Sequence, residues 1–179
     1  MNLPNVLTLI RVLLIPLFVI LIINKLFSWA IVTFAVAGVT DAIDGLIARV
    51  THQRTELGAY LDPIADKLLL SSAFITLAII ERIPSWLTVI VITRDVIILI
   101  GVLMFFLTNH RPRMVPSLLS KITTFFQIST VLLFLLREYY PMLALPSKFA
   151  IYGVVIFTTL SGAHYVYVGT QILNEKKNH

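Results

Sequence analysis

Apolar residues run through this chain in six long blocks separated by short polar interruptions. The blocks fall at about residues 7–23, 27–47, 61–80, 86–107, 118–136 and 149–170. A bilayer-spanning helix needs roughly 20 apolar residues, and each block comes close to that. The interruptions carry turn and breaker residues: Asn24 and Lys25, Pro84, the group Arg111, Pro112 and Arg113, then Pro141 and Pro146. Six spans take about 120 residues, which leaves only short loops in a 179-residue chain. The predicted fold class is all-α and integral to the membrane, and residues 1–179 read as one domain. There is no internal repeat. The first block lacks the basic n-region and small-residue cleavage site of a signal peptide, so we expect it to remain in the protein.

Composition sharpens this picture. Hydrophobic residues make up 58% of the chain and charged residues 13%, against about 25% charged in an ordinary globular domain. A soluble, a disordered and a fibrous chain are all excluded. The absence of cysteine excludes disulfides, zinc–thiolate sites and thiol nucleophiles. The net charge of +5 suits loops lying against anionic lipid. Nothing interleaves aromatic and basic residues as a nucleic-acid groove would, so no nucleic-acid partner is expected. An even number of spans puts both termini on one side. That side carries Arg49, Arg54, Arg111, Arg113, Lys176 and Lys177, and the other Lys25, Arg82, Arg137 and Lys148. The excess favours cytoplasmic termini, as in a bacterial-type cytoplasmic membrane.

All five aspartates, Asp41, Asp44, Asp62, Asp66 and Asp95, fall inside or at the ends of these blocks. An aspartate at mid-bilayer costs about 2.5–3.5 kcal/mol on insertion scales, so each one needs a reason. Asp41 and Asp44 are spaced i, i+3, and Asp62 and Asp66 i, i+4, so each pair shares one helix face. The intervening loop is short enough to make these helices antiparallel neighbours, with four carboxylates converging at the cytoplasmic end. Their mutual repulsion is relieved by a divalent cation, or two. All-oxygen ligands suit Mg²⁺, Mn²⁺ or Ca²⁺. Gly45, Ala48 and Gly58 fall beside the acids at helical spacing and leave room for a bulky group, while Arg49 suits a phosphate. Metal, arginine and carboxylates together suggest phosphoryl-type transfer.

In order, the residues are Asp41, Asp44, Gly45, Ala48, Arg49, then Gly58, Asp62 and Asp66. They resemble the CDP-alcohol phosphatidyltransferase pattern D-x2-D-G-x2-A-R-x8-G-x3-D-x3-D at every fixed position. The resemblance implies six transmembrane helices with an amphipathic N-terminal segment. It implies transfer of a phosphatidyl or similar group from a CDP-linked donor to a hydroxyl, with release of CMP. By that resemblance Asp41, Asp44 and Asp62 ligate two metal ions, Mg²⁺ or Mn²⁺. Asp66 completes the metal site and acts as general base. The CDP-donor site is formed by Asp41, Asp44, Gly45, Ala48, Arg49, Gly58 and Asp62. A homodimer is also implied.

The acceptor is a finer question. The opening through Asn5, Thr8 and Arg11 resembles one shared by phosphatidylglycerophosphate synthases and CMP-forming cardiolipin synthases. Asp95 after Arg94 stands where the glycerophosphate enzymes usually show Glu. The run Pro116, Ser120, Lys121, Thr124 and Gln127 is similar to the P-x-x-x-S-K-x-x-T-x-x-Q of cardiolipin synthases, as are Ser161, Tyr165 and Gly169. The resemblance therefore points to CDP-diacylglycerol as donor and phosphatidylglycerol as acceptor, bound at Arg94 and Lys121. Glycerol 3-phosphate is the alternative acceptor. Thr124 and Gln127 suit interhelical hydrogen bonds equally well. His52 and His110 read as solvated loop residues, and His164 as a packed polar residue of the last span. A cation-coupled transporter is a remote alternative, disfavoured because the acids cluster at helix ends in one pair of helices and no repeat is visible.

Overall fold

A computed structural model describes residues 3–50, 56–107 and 118–175, with side chains described over 9–40, at Ala65, over 67–101 and over 118–171. Six α-helices follow one another: α1 (Leu3–Ile23), α2 (Phe27–Val50), α3 (Glu56–Ile79), α4 (Ser85–Leu107), α5 (Leu118–Leu136) and α6 (Ala144–Glu175). A single 3-10 turn, Pro141–Leu143, leads into α6. The fifth element matches its apolar block, whereas α3 starts at Glu56 and α6 extends beyond its block at both ends. Hydropathy marks the apolar middle of a helix, while backbone hydrogen bonding carries on into polar flanks. Pro146 lies in the first turn of α6, where backbone N–H groups have no intrahelical partner to lose. Nor does Pro16 break α1. That helix is unbroken from the first described residue, and the side chains of the expected amphipathic N-terminal segment lie outside the described ones.

Two stretches among the described residues, Leu118–Leu136 and Pro141–Gln171, are long and apolar enough to cross a bilayer, each with a mean hydropathy of 1.6. At 1.5 Å per residue a 32-residue α6 is about 48 Å long, more than the roughly 30 Å hydrocarbon core. The outward faces are apolar as well: Leu13, Trp29, Val39, Ile79, Phe125 and Phe149 are all exposed. Such faces are untenable in water and match lipid.

The buried side follows helical periodicity. On α2 it comprises Phe27, Ala30, Phe34 and Ala37; on α3, Leu69, Leu70, Ala73, Phe74 and Leu77. Phe18 and Ile22 of α1 join them, as do Leu87 and Val91 of α4, Val131, Phe134 and Leu135 of α5, and Val154 of α6. Helix α1 packs along both α2 and α3. Among the described residues, the extensive contacts of α2 and α3 are with α1 rather than with one another.

Three turns are tied together at one end. Ser28 bonds to the Tyr139 hydroxyl through its backbone N–H at 2.9 Å and its Oγ at 2.6 Å. Arg82 pairs with Glu138 at 2.9 Å and lies over the Phe27 ring. Helices α1 and α3 both stop with a left-handed residue, Lys25 and Glu81, each at φ 59°. In each case the next N–H reaches back five residues, Leu26 to Leu21 and Arg82 to Leu77. From this end the helices run toward the aspartates.

Candidate active site

The carboxylates continue the buried stripes. On α2 the spacing from Phe27 through Ala30, Phe34 and Ala37 alternates three and four, and Asp41 and Asp44 occupy the next two positions. On α3, Asp66 and Asp62 continue the stripe of Ala73 and Leu69 in the same way. Gly45, Ala48 and Arg49 are helical in α2, and Gly58 in α3. The side chains of these eight residues lie outside the described ones, as do His52 and His110. Helix register alone therefore puts each acid pair in line with the buried stripe of its own helix.

Arg11 of α1 is fully buried. The Phe18 and Phe34 rings meet at 5.4 Å across the antiparallel α1–α2 pair. Seven residues along each helix brings Arg11 level with Asp41. An arginine within an apolar block is costly, and that cost was the signal for it in the sequence.

A second polar group lies on α3, α4, α5 and α6. Arg94 is 4% exposed and Asp95 7%. Asp95 Oδ1 accepts from Arg94 Nη1 at 2.7 Å and from Lys67 Nζ at 2.6 Å. Arg94 Nη2 donates to Ser120 Oγ at 2.8 Å and Ser161 Oγ at 2.9 Å. The Tyr165 ring faces the guanidinium at 5.9 Å. Thr88 Oγ1 bonds to the Phe74 carbonyl, so α3 and α4 are antiparallel and the Lys67–Asp95 pair repeats that register seven residues on. The group is therefore level with Asp66.

Arg94 Nε–H is buried with no hydrogen-bond partner. Leaving such a donor unmade costs about 1–3 kcal/mol, so the position is suited to an acceptor atom brought by a ligand. Lys121 is exposed, one residue beyond Ser120 on α5. Beside Arg94 and Lys121, Lys67 belongs to this group too, and its signal in the chain is a lysine directly after Asp66 inside an apolar block.

The α5–α6 seam is polar and buried. Thr123 Oγ1 bridges to the Phe157 carbonyl at 2.9 Å. Thr124 bonds back to Ser120 in its own helix, and Gln127 Nε2 is buried without a partner. The interhelical bond expected of Thr124 or Gln127 is thus made by Thr123. His164 is exposed rather than packed, set edge-on to Tyr165, because its position on α6 falls on the outer face.

The profile of the CDP-alcohol phosphatidyltransferase family matches residues 1–161. A "Probable phosphatidylglycerophosphate synthase" of Mycobacterium tuberculosis is 36% identical over 92% of this chain and 80% of its own length. A "CDP-diacylglycerol–glycerol-3-phosphate 3-phosphatidyltransferase" of Bacillus subtilis is 32% identical over 92% of this chain and 93% of its own. A human "Cardiolipin synthase (CMP-forming)" is 40% identical over 67% of this chain and 39% of its own. The acid motif, the helical membrane fold and these matches agree: the chain belongs to the CDP-alcohol phosphatidyltransferase family, and is a membrane transferase of phospholipid synthesis that releases CMP.

Proposed function

We propose that this enzyme is a CMP-forming cardiolipin synthase, moving the phosphatidyl group of CDP-diacylglycerol onto phosphatidylglycerol. One observation carries the choice of acceptor. Ser120, Ser161 and Tyr165, which resemble the cardiolipin synthase pattern, are gathered around Arg94 level with Asp66. A second reading has its own support. The M. tuberculosis and B. subtilis relatives, matched over most of their length, are named for phosphatidylglycerophosphate synthesis, which makes glycerol 3-phosphate the alternative acceptor.

The donor set fits a divalent cation: four carboxylates on two helices, at positions that continue the buried stripes, offer hard oxygen ligands only. Asp41, Asp44, Asp62 and Asp66 would hold Mg²⁺ or Mn²⁺, two ions by the family resemblance. When bound, the metal neutralises the diphosphate and makes CMP a better leaving group. Gly45, Ala48 and Gly58 leave space for the cytidine diphosphate, and Arg49 pairs with its phosphate. Asp66 takes the proton from the acceptor hydroxyl as that oxygen attacks phosphorus. Arg94 and Lys121 hold the acceptor. All six helices span the membrane, the acids face the cytoplasm, and the enzyme works as a homodimer. Supplying the purified enzyme with CDP-diacylglycerol and both acceptors together, and identifying the lipid formed by mass spectrometry, tests the reading.

A further inference from the structure

We infer that Arg11 is a positioning residue for the acid motif: its buried charge balances that of Asp41, which holds the motif together without a metal and limits how tightly a divalent cation is taken. The inference deepens the metal reading above and rests on it. Arg11 is 0% exposed, so no face of it is left for a substrate phosphate. A guanidinium keeps its charge when buried, and a buried charge is tenable only beside one of opposite sign.

Two registers give the height of Arg11 in the bundle. The Phe18–Phe34 ring contact puts Arg11 and Asp41 seven residues on along antiparallel helices. The end of the bundle where Arg82 lies over Phe27 gives the same answer. Arg11 stands 12 residues before the end of α1, Asp41 14 after the start of α2 and Asp66 13 before the end of α3. At 1.5 Å per residue, all three are about 18–21 Å from that end. Helix α1 packs along both acid-bearing helices. The chain has nine acidic residues. Glu81 and Glu138 lie in the turns at that end, and Glu56 and Glu175 are the outermost residues of α3 and α6. Asp95 is taken by Lys67 and Arg94. Asp44 and Asp62 stand about one turn farther from that end than Asp41 and Asp66. Asp41 and Asp66 are left at the height of Arg11, and Asp41 is on the helix whose register with α1 the ring contact fixes. The other cations near this height are committed elsewhere: Lys67 and Arg94 to Asp95, while Arg49 stands about two turns beyond Asp41.

The test measures Mn²⁺ binding to the purified full-length enzyme by electron paramagnetic resonance, and thermal unfolding in detergent with EDTA. Arg11→Met removes the charge and keeps an apolar side chain. It should lower the unfolding midpoint in EDTA, because the carboxylates then repel without relief. It should also tighten Mn²⁺ binding by about tenfold or more, because attraction in a sheltered position is far less screened than in water. Arg11→Lys keeps the charge and should leave Mn²⁺ affinity within about threefold of wild type. Asp41→Asn added to Arg11→Met removes the charge that Arg11 balanced and should restore much of the lost midpoint. Mn²⁺ binding unchanged or weakened in Arg11→Met, or a double variant no more stable than Arg11→Met, would overturn the inference and leave Arg11 a packing residue. If Arg11→Met does not fold, the double variant decides: recovery of folding upholds the inference and failure to fold overturns it. If the wild type binds no Mn²⁺, the metal reading fails, while the midpoints in EDTA still decide the role of Arg11.

Discussion

Lys67 Nζ lies 2.6 Å from Asp95 Oδ1, joining the residue after Asp66 on α3 to the middle of α4. Through that bond the acid motif of α2 and α3 is coupled to the polar group on α4, α5 and α6. On the proposed reading, donor chemistry and acceptor recognition fall on opposite sides of one tie.

The carboxylate quartet should depend on a divalent ion. EDTA is expected to abolish CMP release, and Mg²⁺ or Mn²⁺ to restore it. Full activity in EDTA after exhaustive dialysis would remove the metal from the account.

The four acids should divide their roles. Asp66→Asn keeps size and one coordinating oxygen but loses the base, so turnover should fall by about 10² or more with CDP-diacylglycerol binding largely kept. Asp41→Asn and Asp44→Asn should weaken donor binding as well. Single-turnover kinetics alongside donor-binding titrations separate the two effects. Near-normal turnover in Asp66→Asn would assign the proton to another group.

The α5–α6 seam makes a prediction about stability alone. A Cβ at Gly153 would lie 2.5 Å from Cδ1 and Cε1 of Phe126, whose ring stacks on Phe157 at 4.8 Å. Gly153→Ala should therefore cost about 1–3 kcal/mol through overpacking. A thermal-unfolding series in detergent checks this, and an unchanged midpoint would mean that the Phe126 ring can move aside.

Much of this was legible in the chain. The six helices follow from the apolar blocks, because membrane length and turn residues leave few alternatives. The acid pairs follow from spacing, which continues the stripes of Phe34–Ala37 and Leu69–Ala73. Two things were less accessible. Arg94 was read as an acceptor ligand; the structure adds that Asp95, Ser120 and Ser161 already hold it, and those partners come from helices far apart in sequence. Lys67 was overlooked because a lysine near a helix end reads as one that snorkels to the interface.

Topology is tested through the absence of cysteine. A cysteine placed at Gln53 should resist impermeant thiol reagents in intact cells, and one placed at Lys25 should react. The reverse pattern would invert the orientation.

The most direct test of the central claim is the initial rate of CMP release by purified enzyme with CDP-diacylglycerol and one acceptor at a time. Phosphatidylglycerol should support rapid release with cardiolipin as product, and glycerol 3-phosphate should be a poor acceptor. Efficient turnover of glycerol 3-phosphate with none of phosphatidylglycerol would contradict the acceptor assignment and leave the family assignment standing.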